Sequence, residues 1–573
     1  MECDVVIVGG GPAGSTTAGF LKKYRPEVKV LVVEREHFPR EHVGESQLPP
    51  ITRVPMELGV WDKCEAAGFP IKTGALYRWG KTPEPWRFDF LVGEEFHNKP
   101  RPEKLRGQRE QTTLHVERSI YDKILLDHAK ELGAEVREGT RVMKVHREGD
   151  RITGLELAGG EIITAKHYVD ASGHVGVLRR AMGVRSEEPT QLKNIAIWDY
   201  WEDPAWAQTV CHGGMRVRLM SVGYGWIWFI PISETRVSVG LVTHAEYYKQ
   251  CGMKPAELYA KALAEEPFIA SLMTNAKSEG KLASTKDWSF LAERVVGENW
   301  FLVGESAGFA DPILAAGMTL AQVGGRELAH VLLALEAESH DAKWLRDWYG
   351  DVQRKRVGQH IRFADYWYSA NAHFVELQAY TAEIAREAGL SLDPAEGFRW
   401  LATGGFISDD LSSPIIGSYL VNSAKKAMSA MTGVPVDPEI NRYSELKLNL
   451  VGAAEVVVPE CRAGKIDAVR CYQRDSKILP INGIFRLVIL ALRNERETRR
   501  IFQFLQNEVA QGGYGESQSA LTSCMDAIEG LLVDGWIVGK DVKGKARLNV
   551  VWDEESVRVS AADDPYVTAI HPG

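Results

Sequence analysis

Residues 4–14 read Asp4-Val5-Val6-Ile7-Val8-Gly9-Gly10-Gly11-Pro12-Ala13-Gly14, and they decide the fold. The apolar run up to Val8 reads as a buried strand, and the glycines that follow match G-x-G-x-x-G. A small-residue stretch, Ser15 to Gly19, opens a helix with Phe20 and Leu21. A second apolar run, Val28 to Val33, ends at Glu34 and Arg35. Strand, glycine turn, helix and second strand in this order make a βαβ dinucleotide unit. Gly9 permits the tight turn, Gly11 lets the backbone approach a pyrophosphate, and Gly14 allows close helix–strand packing. The helix start offers free N–H groups and a positive dipole end to the phosphates. Glu34 lies about 20 residues on, where an acid grips ribose hydroxyls. Gly9, Gly11, Pro12, Ala13, Gly14, Glu34 and Arg35 are therefore candidate cofactor-binding residues.

The rest of the chain sets bounds. It has 573 residues, 45% hydrophobic and 25% charged, enough for a large globular core. A formal net charge of −9 argues against a general nucleic-acid binder, which needs a basic face. The start, Met1-Glu2-Cys3-Asp4, lacks a signal peptide's basic opening. The longest apolar runs, Trp226 to Ile232 and Leu487 to Leu492, are too short to cross a bilayer. A cytoplasmic protein with no nucleic-acid or membrane partner is expected. Seven scattered cysteines without a C-x-x-C pair suggest reduced thiols, and no metal-ligand spacing is present.

The glycine motif does not itself separate FAD from NAD. Later segments do: Val169-Asp170-Ala171-Ser172-Gly173, and Trp300 to Val303 followed by Gly304-Glu305-Ser306-Ala307-Gly308, leading to Asp311-Pro312. They resemble the second and third flavin fingerprints of the FAD-dependent monooxygenase superfamily. The resemblance implies FAD, with Asp170, Gly304, Glu305, Asp311 and Pro312 at the cofactor. Glu305 stands where that superfamily usually has aspartate, one methylene shorter. Arg118 starts a helix with apolar Ile120, Ile124, Leu125 and Leu132, and in the superfamily an arginine there touches the flavin. A solvent-facing arginine is the plain alternative. With a single G-x-G-x-x-G in the chain, no separate NAD(P)H domain is expected.

Four segments then resemble the flavin-dependent halogenase family across about the first 370 residues. Phe38-Pro39-Arg40, then Val43-Gly44-Glu45-Ser46, looks like the family's strap over the flavin. Lys72, in a loop-like stretch after Phe69-Pro70-Ile71, stands where the family has its catalytic lysine. Gly225-Trp226-Ile227-Trp228-Phe229-Ile230-Pro231 matches W-x-W-x-I-P, and Phe309 to Gly317 partly matches F-x-x-P-x-x-S-x-G. The resemblance implies a halogenase that takes reduced FAD from a separate flavin reductase. Oxygen and chloride or bromide are then turned into hypohalous acid for a small or carrier-tethered phenolic, pyrrolic or similar ring in specialised metabolism. Lys72 would polarise that acid or carry it as a haloamine, since a buried lysine loses its proton readily. Trp226 and Trp228 would screen the substrate from direct oxygen transfer. Arg40, Gly44, Glu45, Ser46 and Met318 would touch the flavin. Ala316 and Gly317 would cradle halide through backbone N–H groups. Ala315 replaces the family's serine and puts halide affinity in question. A surface lysine, a buried aromatic strand face and a plain flavin-contacting turn are the ordinary alternatives for these three features.

The expected fold is α/β: an FAD-binding Rossmann-like fold with a β-sheet substrate domain and a mostly helical, winged-helix-like C-terminal module. Residues 1–340 form the catalytic unit and residues 341–440 a helical segment walling the pocket. Residues 441–573 form the tail, with helices at 484–492 and 501–509. An apolar stripe follows at Leu521, Met525, Ile528 and Leu532, and then a hairpin of Trp536–Val538 with Leu548–Trp552. Arg493, Arg496, Arg499 and Arg500 are a local basic cluster there. Two other functions stay open. A flavin monooxygenase or dehydrogenase without halogenation is favoured by Ala315 and Glu305, and a flavin-based regulator is disfavoured by the acidic charge.

Overall fold

The computed structural model describes residues 2–79, 86–91, 96, 97, 99, 101, 103–105, 107–190, 193–202, 214–372, 439–475, 477–512, 517–552 and 557–561. The expected helical stretch beyond residue 372 and the loop-like run Val434–Pro438 lie outside the described residues.

The quoted opening stretch forms the strand Glu2–Val8 and the helix Pro12–Tyr24. Val5 to Val8 are buried on both sides because parallel neighbours flank the strand: Val30–Val33 on one edge, Ile162–Asp170 on the other. Pro12 suits the first helical position, where its missing N–H costs nothing. The described sheet runs Glu135–Arg137, Val30–Val33, Glu2–Val8, Ile162–Asp170, Arg151–Leu157, Val142–Glu148, with Trp300–Leu302 joining Ile162–Asp170 in parallel. The second expected strand starts at Val30 rather than Val28. The helix Arg118–Glu131 packs through Tyr121, Leu125, Leu126 and Ala129. Ile120, expected on its apolar stripe, is 43% exposed because the buried face begins one residue later.

A second sheet is mixed. Its order is Lys277–Ser278, Lys193–Glu202, Arg236–His244, Gly225–Pro231, Met215–Val222, Ile71–Arg78, Trp86–Asp89, with Ala283–Trp288 and Thr113–Leu114 pairing off this path. Lys72 was expected in a loop; it lies in the strand Ile71–Arg78, whose partners on both edges supply the backbone bonds that fix it. Two long helices, Gly317–Glu336 and Ala342–Ala372, follow the two sheets, joined by a buried Arg356–Glu327 pair at 2.7 and 2.9 Å.

In the tail, helices Gly483–Asn494, Thr498–Ala510 and Ser517–Val533 surround one core containing Phe485, Leu487, Ile501, Leu505, Met525 and Ile528, as the apolar stripes predict. The expected hairpin does not form. Ile537–Lys540 pairs with Glu445–Leu448, and Leu548–Trp552 pairs with Val557–Ala561. Trp536 and Ile537 plug the helical core and need a strand that closes it, which Leu446 provides from far upstream. The winged-helix expectation rested on that hairpin. A three-stranded sheet, Ala454–Arg462, Lys465–Arg474 and Lys477–Pro480, was not foreseen. Its turn docks on the catalytic part: Arg326 donates to the Cys461 carbonyl at 2.8 Å, and the Gly464 N–H donates to His330 Nε2 at 3.1 Å.

Among the described residues no helix is long and apolar enough to cross a membrane, and no cluster of three or more His, Cys, Asp or Glu suits a metal ion.

Candidate active site

The glycine turn opens on a cavity of about 240 Å³. Gly9 has φ +109°, and a Cβ there would sit 2.3 Å from the Ala171 carbonyl oxygen. A Cβ on Gly14 would sit 2.0 Å from the Gly9 carbonyl oxygen, so no side chain is tolerated at either position. Gly14 thus packs against the turn itself. The first N–H groups of the helix Pro12–Tyr24 have no partner within the helix and face this cavity, together with Gly11, Pro12 and Ala13. Glu34 lines it too, its carboxylate accepting from the Gly10 N–H at 2.7 Å and the Glu36 N–H at 2.9 Å. Arg35 lines the rim and pairs with Glu36. Gly-only positions, free amides at a helix start, an acid at the end of the second strand and flanking arginines together fit the phosphates and ribose of FAD.

Across the cavity, Arg40 and Arg118 contribute the cationic wall. Arg118 is buried, not solvent-facing. It grips Asp122 at 2.7 and 2.9 Å and donates to the Val43 and Gly44 carbonyls at 2.9 and 3.2 Å, tying the strap to the helix Arg118–Glu131. His42 lines the same wall, its pKa lowered to about 3 by burial and by Arg118. Gly304, Glu305, Gly317 and Met318 close the opposite side. Burial pushes the Glu305 carboxyl up, although Arg118 draws it down.

Several expected flavin contacts lie off this cavity. Asp170 is fully buried and accepts from Ser172, Leu178 and Arg179, so it folds the turn whose next residues, Ala171, Ser172 and Gly173, do the lining. Glu45 faces away and accepts from the Tyr200 hydroxyl at 3.0 Å, its carboxyl pushed up by burial. Ser46 is buried beside His115 in a β-bridge. Asp311 and Pro312 belong to the neighbouring turn.

Lys72 is 2% exposed. Its Nζ donates to the Gln47 carbonyl at 2.7 Å and lies 5.5 Å from the Phe90 ring centre. Burial draws its pKa from 10.5 down to about 7. Gln47 was not picked out in the sequence. Its amide reaches Met318 Sδ at 3.7 Å and accepts from Thr113 Oγ1 at 3.2 Å, so one residue joins the lysine to the cavity wall. Trp226 and Trp228 stand in Gly225–Pro231 with ring centres 6.0 Å apart, and Trp79, Trp198 and Tyr368 extend the aromatic cluster. Trp228 pairs with Leu219, which pairs with Tyr77. At about 3.3 Å per residue and 4.8 Å per strand, Lys72 and Trp228 are therefore on the order of 15–20 Å apart along the sheet. Lysine and indoles share the sheet and do not touch; the turn Asp311–Met318 lies between their partners.

That turn is tightly specified. Asp311 caps the Ile313 N–H at 2.8 Å and accepts from Asn194 at 3.2 Å and Tyr368 at 3.2 Å. Ala315 sits at φ +51°, a left-handed conformation costly for a residue with a Cβ. Ala316 caps a 20-residue helix that opens at Gly317, and both residues line a void of about 20 Å³, shared with Glu305, Phe309 and Asp311 and adjoining the larger cavity through Gly304, Glu305 and Gly317. Such a void holds one water-sized occupant, and a helix start favours an anion.

Residues 2–364 match the model of the FAD binding domain family. The chain is 32% identical over 388 residues to the 1H-pyrrole-2-carbonyl-(peptidyl-carrier protein) chlorinase of Pseudomonas fluorescens, spanning 65% of this chain and 85% of that protein. It is 32% identical over 373 residues to the tryptophan 2-halogenase of Chondromyces crocatus, spanning 63% of this chain and 66% of that protein, just under two thirds of its length. The solved structure of CmlS, a flavin-dependent halogenase, shares the fold with a TM-score of 0.67 at 23% identity, covering 95% of this chain and 97% of that one. On its matched domain and its relatives, the chain belongs to the FAD binding domain family and, within it, to the flavin-dependent halogenases.

Proposed function

We propose that this enzyme halogenates an electron-rich ring of the phenol or pyrrole kind, with Lys72 as the residue that handles the activated halogen. One observation carries the reading: a lysine buried with no carboxylate partner among the described residues, poised near neutrality and joined through Gln47 to the wall of the cofactor cavity. Burial brings its proton affinity down toward neutral pH, so that the Nζ can both hold and give up its third proton, which a proton-handling group needs. FAD, when bound and reduced, supplies the electrons that let oxygen oxidise halide to hypohalous acid. Glycine-turn amides and Glu34 hold the cofactor. Arg118 keeps the strap shut against Asp122, and the Ala316–Gly317 amides hold the halide in the small void, where the missing serine hydroxyl is not required. The Trp226 and Trp228 rings fill the substrate side, exclude water and leave no room for a ring to reach the cofactor directly. A separate flavin reductase supplies reduced FAD. The substrate is free or carried as a thioester on a carrier protein.

The test uses purified enzyme, a general flavin reductase, NADH, FAD, oxygen and bromide, with free phenols and pyrroles and a pyrrolyl carrier thioester as acceptors. Mass spectrometry should show a bromine isotope doublet that disappears in Lys72→Met. Hydroxylated product without a doublet would refute the halogenase reading and favour the monooxygenase alternative.

A further inference from the structure

The tryptophan wall and the anion turn are joined by a short polar chain. Trp226 Nε1 donates to the Tyr368 hydroxyl at 2.7 Å, and that hydroxyl donates to Asp311 Oδ1 at 3.2 Å. The same Oδ1 caps the Ile313 N–H at 2.8 Å, and Asn194 holds Oδ2 at 3.2 Å. Asp311 is 4% exposed and Trp226 1%, while Tyr368 between them is half-buried, so both ends of the chain are shielded from water. Tyr368 is carried by the helix Ala342–Ala372, which is anchored by the Arg356–Glu327 pair and, one turn before Tyr368, by Thr190 donating to Asp365. At the other end of the turn, Met318 meets Gln47, which accepts from Lys72. The stretch Asp311–Met318 is thus tied to the indole wall at one end and to the lysine at the other.

A mechanical consequence follows from Ala315. Its φ of +51° persists only if the neighbouring residues over-determine the turn. The Ala315 N–H donates to the Pro312 carbonyl at 3.0 Å, and Asp311, which caps the Ile313 N–H of the same turn, also lines the anion void. We propose that Tyr368 is a positioning residue for halide: it transmits the placement of Trp226 to Asp311 and so sets the Ala316–Gly317 amides at their anion-binding spacing. This rests on the halide placement proposed above. It assigns to a wall tryptophan a second role, reporting the state of the substrate side to the halide site. A substrate that moves the Trp226 ring would change halide affinity, and by linkage halide would change substrate affinity by the same factor.

The experiment reads bromide affinity from the flavin absorption of the oxidised holoenzyme, which requires no turnover. Tyr368→Phe removes one hydroxyl, and Trp226→Phe removes the indole N–H while keeping an aromatic ring. Each should weaken bromide binding by about three- to tenfold, the size of one lost hydrogen bond. The double variant should be no weaker than Tyr368→Phe alone, because the chain is already cut at the hydroxyl. FAD affinity and melting temperature of each variant are measured alongside. Bromide affinity within twofold of wild type in Tyr368→Phe, fully additive losses in the double variant, or an equal loss of FAD affinity would each overturn the proposal. If Tyr368→Phe does not fold, Trp226→Phe alone decides: an unchanged bromide affinity refutes the link. A wild-type enzyme whose flavin spectrum does not respond saturably to bromide would instead refute the halide placement.

Discussion

Replacing Lys72 by methionine should abolish halogenation and at the same time make the protein more stable. The Lys72 side chain is buried, and burial is the cause of the fall of its pKa from 10.5 to about 7. At 1.36 kcal/mol per pH unit, that fall corresponds to roughly 5 kcal/mol of cost for keeping the ammonium in the folded state. Methionine has nearly the same length and no charge. It forfeits the bond to the Gln47 carbonyl, about 1 kcal/mol, so the net gain near neutral pH is roughly 2–4 kcal/mol. The sign with pH is fixed. Between the folded and unfolded values the unfolded chain binds the extra proton, so the wild type gains stability as pH rises from about 7 to 10.5. The advantage of Lys72→Met is therefore full below pH 7 and shrinks by about 1.4 kcal/mol per pH unit above it. The assay is a thermal melt of both holoenzymes at pH 6.5, 8 and 9.5. Their other titrating groups are the same and cancel in the difference. The variant should melt higher by on the order of 5 °C at pH 6.5, and the gap should close by pH 9.5. A lower melting temperature for Lys72→Met, or a gap independent of pH, would show that Lys72 is not a buried, unpaired cation, and its proposed part in the chemistry would lose its physical basis.

Gly9→Ala and Gly14→Ala should each lose FAD affinity by more than tenfold, read as release of free flavin fluorescence, because the added carbon would meet a backbone oxygen at 2.3 or 2.0 Å. Glu45→Gln should keep the Tyr200 bond and gain on wild type in a melt as pH rises from 5 to 8, since the raised folded pKa makes the wild type lose stability once the unfolded carboxyl ionises. A melt difference that is flat with pH contradicts this. Ala315→Ser should lower the bromide KM severalfold by adding a hydroxyl next to Ala316, which lines the small void, and an unchanged KM would mean that backbone amides alone hold the ion. Trp226→Ala should raise hydrogen peroxide or hydroxylated product relative to halogenated product, measured as product per NADH consumed. An unchanged ratio would remove the wall's screening role.

The dinucleotide unit was legible because every part of it is local. Short continuous apolar runs make buried strands, and three glycines at fixed spacing make a turn that only glycine can adopt, all within residues 4–34. The helices of the tail were legible for the same reason, since an apolar stripe at helical spacing specifies its own buried face. What required the tertiary structure was every partnership between distant segments. Residues 69–72 read as a loop because Phe69-Pro70-Ile71 shows no alternation; Lys72 became a strand residue only once Met215–Val222 lay beside it. Its altered proton affinity comes from surroundings that residues distant in the chain, such as Phe90, help to build. Asp170 and Glu45 have the right chemistry in the right motifs, yet backbone amides at 172–179 and the Tyr200 hydroxyl claim their carboxyls. The tail hairpin failed because strand pairing is chosen by which strand closes a hydrophobic core, and Leu446 does this from about ninety residues away. Gln47 carries no local signal at all, and Tyr368 shows in the sequence only as part of an aromatic-rich helical stretch: each acquires its place by joining two elements that sequence distance keeps apart. Local sequence thus specified which residues could bind a flavin, while long-range packing decided which of them face the cavity and what sets the proton on the lysine.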